Sequence, residues 1–131
     1  MKKFLKILAI IITALVIIFT GVFLFISRGL DVKSQPALTG VTAQGLKDGV
    51  YEGSYDGGRW TNGVKVTVAG EKIGNITLTQ DVMFSDAKVS AALFERVIAS
   101  QSTKVDTVAG ATVTSKAYLK SIENALTGKE E

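Results

Sequence analysis

The sequence predicts an α+β chain: an N-terminal transmembrane helix, followed by a small antiparallel sheet with two packed helices. Three observations carry that expectation. Residues 7–26 read ILAIIITALVIIFTGVFLFI, with no charge in the run. Val64, Val66 and Val68 alternate with Lys65, Thr67 and Ala69, the period of a half-buried strand. Val89, Leu93 and Val97 recur four residues apart, the period of an amphipathic helix.

The apolar run is long enough, as a helix, to cross the roughly 30 Å hydrocarbon core of a bilayer. It lacks the polar face of a helix that packs on one side of a soluble domain. Lys2, Lys3 and Lys6 precede it, and Arg28 and Lys33 follow. The positive excess on the N-terminal side predicts a single-pass protein with a cytoplasmic N-terminus and an extracytoplasmic domain at the cell membrane. A cleaved signal peptide is the competing reading. It calls for a shorter apolar core and a small-x-small site, whereas Ser27, Arg28 and Gly29 follow the run. A chain without Cys also has no route to lipoprotein processing.

The 131 residues leave room for one folded domain after the anchor. Zero Cys and zero His exclude disulfides, thiolate chemistry, a Ser-His-Asp hydrolase, a His- or Cys-ligated zinc site and His-ligated haem. Redox work, if any, falls to an organic cofactor. Without Lys2, Lys3 and Lys6, 12 of the 15 Lys+Arg remain against 12 Asp+Glu, so residues 27–131 are formally neutral. Nothing in that balance predicts a nucleic-acid partner.

Residues 29–47 show no strong periodicity and include Gly29, Pro36, Gly40 and Gly45. They read as a linker between the anchor (1–28) and a domain over 48–128. Val50–Tyr55 is a first expected strand, and Asp56–Gly63 a Gly-rich loop. Val64–Ala69, a Gly70-Glu71-Lys72 turn and Ile73–Gln80 form an expected hairpin. A helix follows over about 86–100, capped by Ser85 or Asp86. Residues 104–113 read as a loop. A last helix starts near Ser115, carries Tyr118, Leu119, Ile122, Ala125 and Leu126 on its apolar side, and ends at Gly128.

The loop before that helix reads Asp106-Thr107-Val108-Ala109-Gly110-Ala111-Thr112-Val113-Thr114-Ser115. Gly110 and Ala111 let backbone come close to a ligand. The hydroxyls of Thr112, Thr114 and Ser115 stand at a helix N-terminus, where free N–H groups and the helix dipole favour an anion such as a phosphate. The plainer alternative is that Gly110 is a turn residue and Thr114 or Ser115 an N-cap.

Asp106, Gly110, Ala111 and Thr112 together resemble the flavinylation motif of the FMN-binding domain family: Asp, two residues, Ser or Thr, Gly, Ala, then the acceptor Thr or Ser. Asp48-Gly49-Val50-Tyr51-Glu52-Gly53 is similar to the family's entry motif, Asp-Gly-x-Tyr-x-Gly. The resemblance runs from about Asp48 to Leu126. It departs at Ala109, where Ser or Thr is usual. The family includes the C-subunit of the sodium-pumping NADH:quinone oxidoreductase, the G-subunit of the Rnf complex and small extracytoplasmic flavin electron carriers. The resemblance implies FMN as cofactor, joined through its phosphate to the Thr112 hydroxyl by a separate flavin transferase. A threonine hydroxyl with no base beside it is a poor nucleophile, so Thr112 would be an acceptor and not a catalytic residue.

Asp106 would belong to the recognised motif or simply cap the loop. Thr114, Ser115 and the following N–H groups could hold phosphate oxygens, a set of neutral donors in keeping with the lack of a basic cluster. Tyr51, Tyr55, Trp60 and Met83, with backbone of the Gly57–Gly63 loop, are candidates to contact the flat ring. Tyr51 also reads strongly as a strand core residue. Two functions follow. One is a membrane-anchored electron carrier or redox subunit, without a substrate of its own, that exchanges electrons with a membrane redox partner such as a quinone-linked dehydrogenase. The other is an extracytoplasmic binding or sensory module without flavin on the same fold.

Overall fold

The computed structural model describes residues 1–28 and 35–129. Helix α1 covers Lys2–Ser27 and is the one described helix long and apolar enough to cross a membrane. Its Thr13 and Thr20 hydroxyls donate to the carbonyls of Ala9 and Val16. The two polar groups of the run are thus satisfied within the helix, as an apolar surrounding requires. Arg28 ends α1 beside Gly58, where an added Cβ would stand 3.6 Å from the Arg28 Cδ.

The domain is α+β, as the two periodicities predict. Strands β1 (Gly49–Tyr55), β2 (Asn62–Ala69) and β3 (Lys72–Gln80) form one antiparallel sheet in the order β1-β2-β3. A single 3₁₀ turn, Gly58–Trp60, stands between β1 and β2. Helices α2 (Ala87–Ser100) and α3 (Thr112–Thr127) follow. Val64, Val66 and Val68 are buried and Lys65 is exposed, so the alternation sets which face of β2 meets the core. Ile73 and Ile76 extend that face on β3, and Leu93 and Val97 of α2 and Leu119 and Ile122 of α3 complete the core.

Helix α3 is buried almost all round. Ser115, Ser121, Glu123 and Asn124 are as inaccessible as its apolar residues. Buried polar groups are tolerated when they are bonded, and each of these is. Ser121 Oγ donates to Asn62 Oδ1 (2.6 Å), Asn124 Nδ2 to the Ser54 carbonyl (2.8 Å), and Ser115 Oγ accepts from Val108 N (3.1 Å). Glu123 Oε1 accepts from Thr39 N, Gly40 N and Thr103 Oγ1 (3.0, 3.0 and 2.8 Å). Close approach of α3 to β1 depends on Gly53. A Cβ there would lie 2.2 Å from Ala125 N and 2.3 Å from the Ser121 carbonyl oxygen.

The stretch expected to be a linker divides. Residues 29–34 lie outside the described residues. Residues 35–47 lie on the domain: Leu38, Val41 and Leu46 pack on the core and Ala43 is buried. Backbone bonds join Thr103 N to the Val41 carbonyl, and Val41 N donates to Thr103 Oγ1. Periodicity misses such a segment because an irregular strap pairs with side chains, chiefly Glu123 and Thr103, and not with a regular ladder.

Asp86 is the cap of α2, its carboxylate accepting from Lys88 N at 2.9 Å. Gln101 closes that helix in the left-handed region, and its amide bonds both Ile73 N and the Ile73 carbonyl. Helix α3 begins at Thr112, three residues before the expected start, and ends at Gly128 with φ +68°.

Candidate functional site

A cavity of about 430 Å³ opens at the N-terminus of α3. One wall is Gly110, Ala111, Thr112, Val113 and Thr114. The other is Arg59 and Trp60 from the 3₁₀ turn, with Val82 and Phe84 from the segment after β3.

The first wall is built by the loop. Gly110 takes φ +77°, a conformation that a residue with a Cβ adopts only at a cost. Ala111 N bonds the Val108 carbonyl, and the first helical bond runs from Ser115 N to the Ala111 carbonyl (2.8 Å). No side chain caps this end. The N–H groups of Thr112, Val113 and Thr114 precede that first helical bond and are open to a ligand, with the positive end of the helix dipole behind them. Thr112 is exposed, Thr114 half-buried and Ser115 buried.

The second wall is tied together and to α3. Met83 N donates to the Arg59 carbonyl at 2.9 Å. The Trp60 carbonyl accepts from Asn62 Nδ2, and Asn62 Oδ1 accepts from Ser121 Oγ of α3. Asp81 Oδ1 accepts from Val82 N and from the Tyr118 hydroxyl. Burial, and after it the Asp81 carboxylate, push the Tyr118 phenol well above the ordinary tyrosine value. It therefore stays a proton donor that fastens Val82 to α3. Arg59 lies over the Trp60 ring, Cζ 4.1 Å from its centre, and 5.8 Å from the centre of Phe84. Arg59 Nε is buried and has no hydrogen-bond partner among the described residues.

The structure thus brings together Gly110, Ala111, Thr112, Thr114 and Trp60 of the residues picked from the sequence. It does not bring in Ser115, whose hydroxyl is spent on Val108 N. Tyr51 packs against the core, its hydroxyl donating to the Lys47 carbonyl; Tyr55 also packs on the core, and Met83 is exposed outside the cavity wall. Asp106 faces a separate, open hollow of about 760 Å³ with Arg96, Lys104 and Ala109. There Arg96 Nη1 donates to the carbonyls of Asp106 and Thr107 (3.0 and 3.1 Å) and holds the loop from behind.

Arg59, Val82, Phe84 and Val113 were not among the residues picked from the sequence. Arg59 adds a charged group to the cavity wall, beside the neutral donors expected to hold the phosphate. One signal pointed to it: Arg59 is the only basic residue between Lys47 and Lys65, and it sits in the Gly-rich loop.

The model of the FMN-binding domain family matches residues 57–127. The chain belongs to this family. The matched stretch contains both walls of the cavity; the Asp48–Gly53 entry motif lies before it. No curated protein matches the chain. The cofactor of the FMN-binding domain is FMN, and the cavity suits it in three respects. Its volume falls in the few-hundred-Å³ range of cofactor sites. The uncapped end of α3 offers N–H donors to a phosphate. The aromatic wall offers a flat surface, with an arginine whose buried N–H lacks an acceptor among the described residues.

Proposed function

We propose that this FMN-binding domain is an extracytoplasmic electron carrier, anchored by α1, with FMN attached through its phosphate to Thr112. The observation that carries the reading is the position of Thr112. It is the first residue of α3, exposed, and in the wall of the cavity that Gly110 and the aromatic residues form. FMN, when bound, supplies reversible uptake of one or two electrons. The chain's own residues bind and orient. The first-turn N–H groups and Thr114 hold phosphate oxygens, Trp60 and Phe84 flank the ring, and Asp81–Tyr118 keeps the wall in place.

The chain has no His or Cys, and the described lining around Thr112 holds no carboxylate to activate its hydroxyl, so a flavin transferase forms the phosphoester. The cytoplasmic-side charges Lys2, Lys3 and Lys6 support an outward-facing domain. The end of α1 lies beside the 3₁₀ turn of the cavity, which favours a redox partner held in or at the membrane, such as a quinone-linked dehydrogenase. The chain then needs no substrate of its own.

The test is production of the full chain with a flavin transferase, followed by a denaturing gel. The native chain retains yellow fluorescence and gains the mass of FMN less one water; Thr112→Ala loses both, and Thr114→Ala keeps the bond. In intact spheroplasts, added protease releases the fluorescent domain. A label that survives Thr112→Ala overturns the attachment site, and full protection from protease overturns the topology.

A further inference from the structure

The sequence motif accounts for one wall of the cavity and leaves Arg59 without a role. Arg59 is the only charged residue in that lining. It has no carboxylate partner among the described residues, where Lys65–Glu52 is the ion pair seen. Its Nε is buried without an acceptor among the described residues, an arrangement that costs free energy unless a ligand supplies one. The guanidinium lies over Trp60, 4.1 Å from its ring centre, and 5.8 Å from the ring centre of Phe84, so it is part of the aromatic wall. The phosphate end has its own donors in the first turn of α3.

Resting on the FMN reading, we propose that Arg59 faces the pyrimidine edge of the flavin ring and tunes its redox potential. The oxidised ring is neutral. Uptake of two electrons and one proton from a reduced donor leaves one negative charge at the ring's N1–C2=O edge. A fixed guanidinium favours that anion over the neutral oxidised ring, while its N–H groups donate to the same edge in both states. Arg59 is then a positioning and tuning residue; it exchanges neither electrons nor protons.

The experiment uses the full chain in detergent, flavinylated by co-production with the transferase, and measures the midpoint potential by optical titration with dithionite and mediators. Arg59→Gln shifts the equilibrium towards the oxidised form by about tenfold or more, since a hydrogen bond to a charged group carries at least that much. For a two-electron couple, tenfold corresponds to about 30 mV. Arg59→Lys keeps the charge but loses the flat fork, and gives an intermediate potential. Melting followed by Trp60 fluorescence checks that each variant is folded; should Arg59→Gln fail to fold, Arg59→Lys decides by the same criterion. Unchanged potentials overturn the proposal. So does an unchanged potential with reduced flavin loading, which would place Arg59 on the phosphate. A native chain without flavin absorbance, seen before any titration, overturns the FMN reading itself and this proposal with it.

Discussion

Gly53→Ala tests the packing that positions the cavity. The added Cβ would stand 2.2 Å from Ala125 N and 2.3 Å from the Ser121 carbonyl oxygen, both backbone atoms of α3. No side chain can swing aside to make room. Ordinary contact begins near 3.5 Å, so the helix must retreat by roughly 1.3 Å. That displacement pulls on Leu119 and Ile122 in the core and on the bonds from Ser121 and Asn124 to β2 and β1. Overpacking ordinarily costs about 1–3 kcal/mol; a backbone clash that strains polar ties as well belongs at the upper end, about 3 kcal/mol. For a domain of this size the corresponding fall in Tm is roughly 12–24 °C.

Gly49 is the control. It belongs to the same Asp48–Gly53 motif, yet a Cβ there meets nothing within 4 Å. Gly49→Ala should leave stability unchanged or raise it by about 0.4–1 kcal/mol through the unfolded chain. The assay is thermal unfolding of the full chain in detergent, followed by fluorescence of Trp60. This is the single tryptophan and it is buried, so it reports the domain while α1 remains helical. Equal melting temperatures for Gly53→Ala and Gly49→Ala would refute the argument that β1 must meet α3 backbone to backbone.

Two more outcomes follow. Because the folded Tyr118 phenol has a raised pKa, its contribution is complete below the unfolded value of about 10 and is lost as pH rises from there through the folded value. Between pH 8 and 11 the native chain should lose about 1.4 kcal/mol more unfolding free energy than Tyr118→Phe; parallel curves would show that the phenol ionises freely in the fold. Ala109→Ser should speed flavinylation in a timed transferase assay by about one to two orders of magnitude, if the new hydroxyl makes a charged hydrogen bond only in the transition state. Ala109 lies outside the cavity at the start of α3 and in the hollow with Asp106, so final extent and Tm should not move; a rate equal to the native one would make that hydroxyl dispensable.

The long apolar helix, the sheet and both domain helices were legible because each has a period or an uninterrupted run. Val64–Val66–Val68 and Val89–Leu93–Val97 each point one face inward whatever lies opposite. What was not legible depends on partners far along the chain. Glu123 reads as a charged residue on a helix surface, yet it is buried because residues 39, 40 and 103 bring donors to it. For the same reason the segment 35–47 looked like a free tether. Half of the cavity was legible, since Gly110, Ala111 and Thr112 are contiguous. The other half, of which only Trp60 was picked from the sequence, joins residues 59–60 to 82 and 84 through the backbone bond from Met83 N to the Arg59 carbonyl, which no local pattern announces. Tyr51 shows the reverse. Its aromatic ring made it a candidate ligand contact beside a role in the strand core, and its register opposite Val66 and its packing favour the core.

The burial of α3 bears on why one hydroxyl out of three would be modified. Thr112, Thr114 and Ser115 lie within one turn and share the same helix end. Ser115 is fully buried and occupied by Val108 N, so no transferase can reach it. Thr114 is half-buried in the cavity wall, where a phosphate already seated would meet it from inside. Thr112 alone is exposed. Meanwhile the rest of α3 is fixed by Ser121 to β2, Asn124 to β1 and Glu123 to the 39–40 strap. A second protein must act on a hydroxyl that is accessible and yet fixed in place, and such a frame costs the ordering entropy before the partner arrives. On the proposed reading, the buried polar residues of α3 therefore serve the modification without touching the cofactor. Loosening any of them should slow attachment at Thr112 more than it weakens FMN contacts in the aromatic wall.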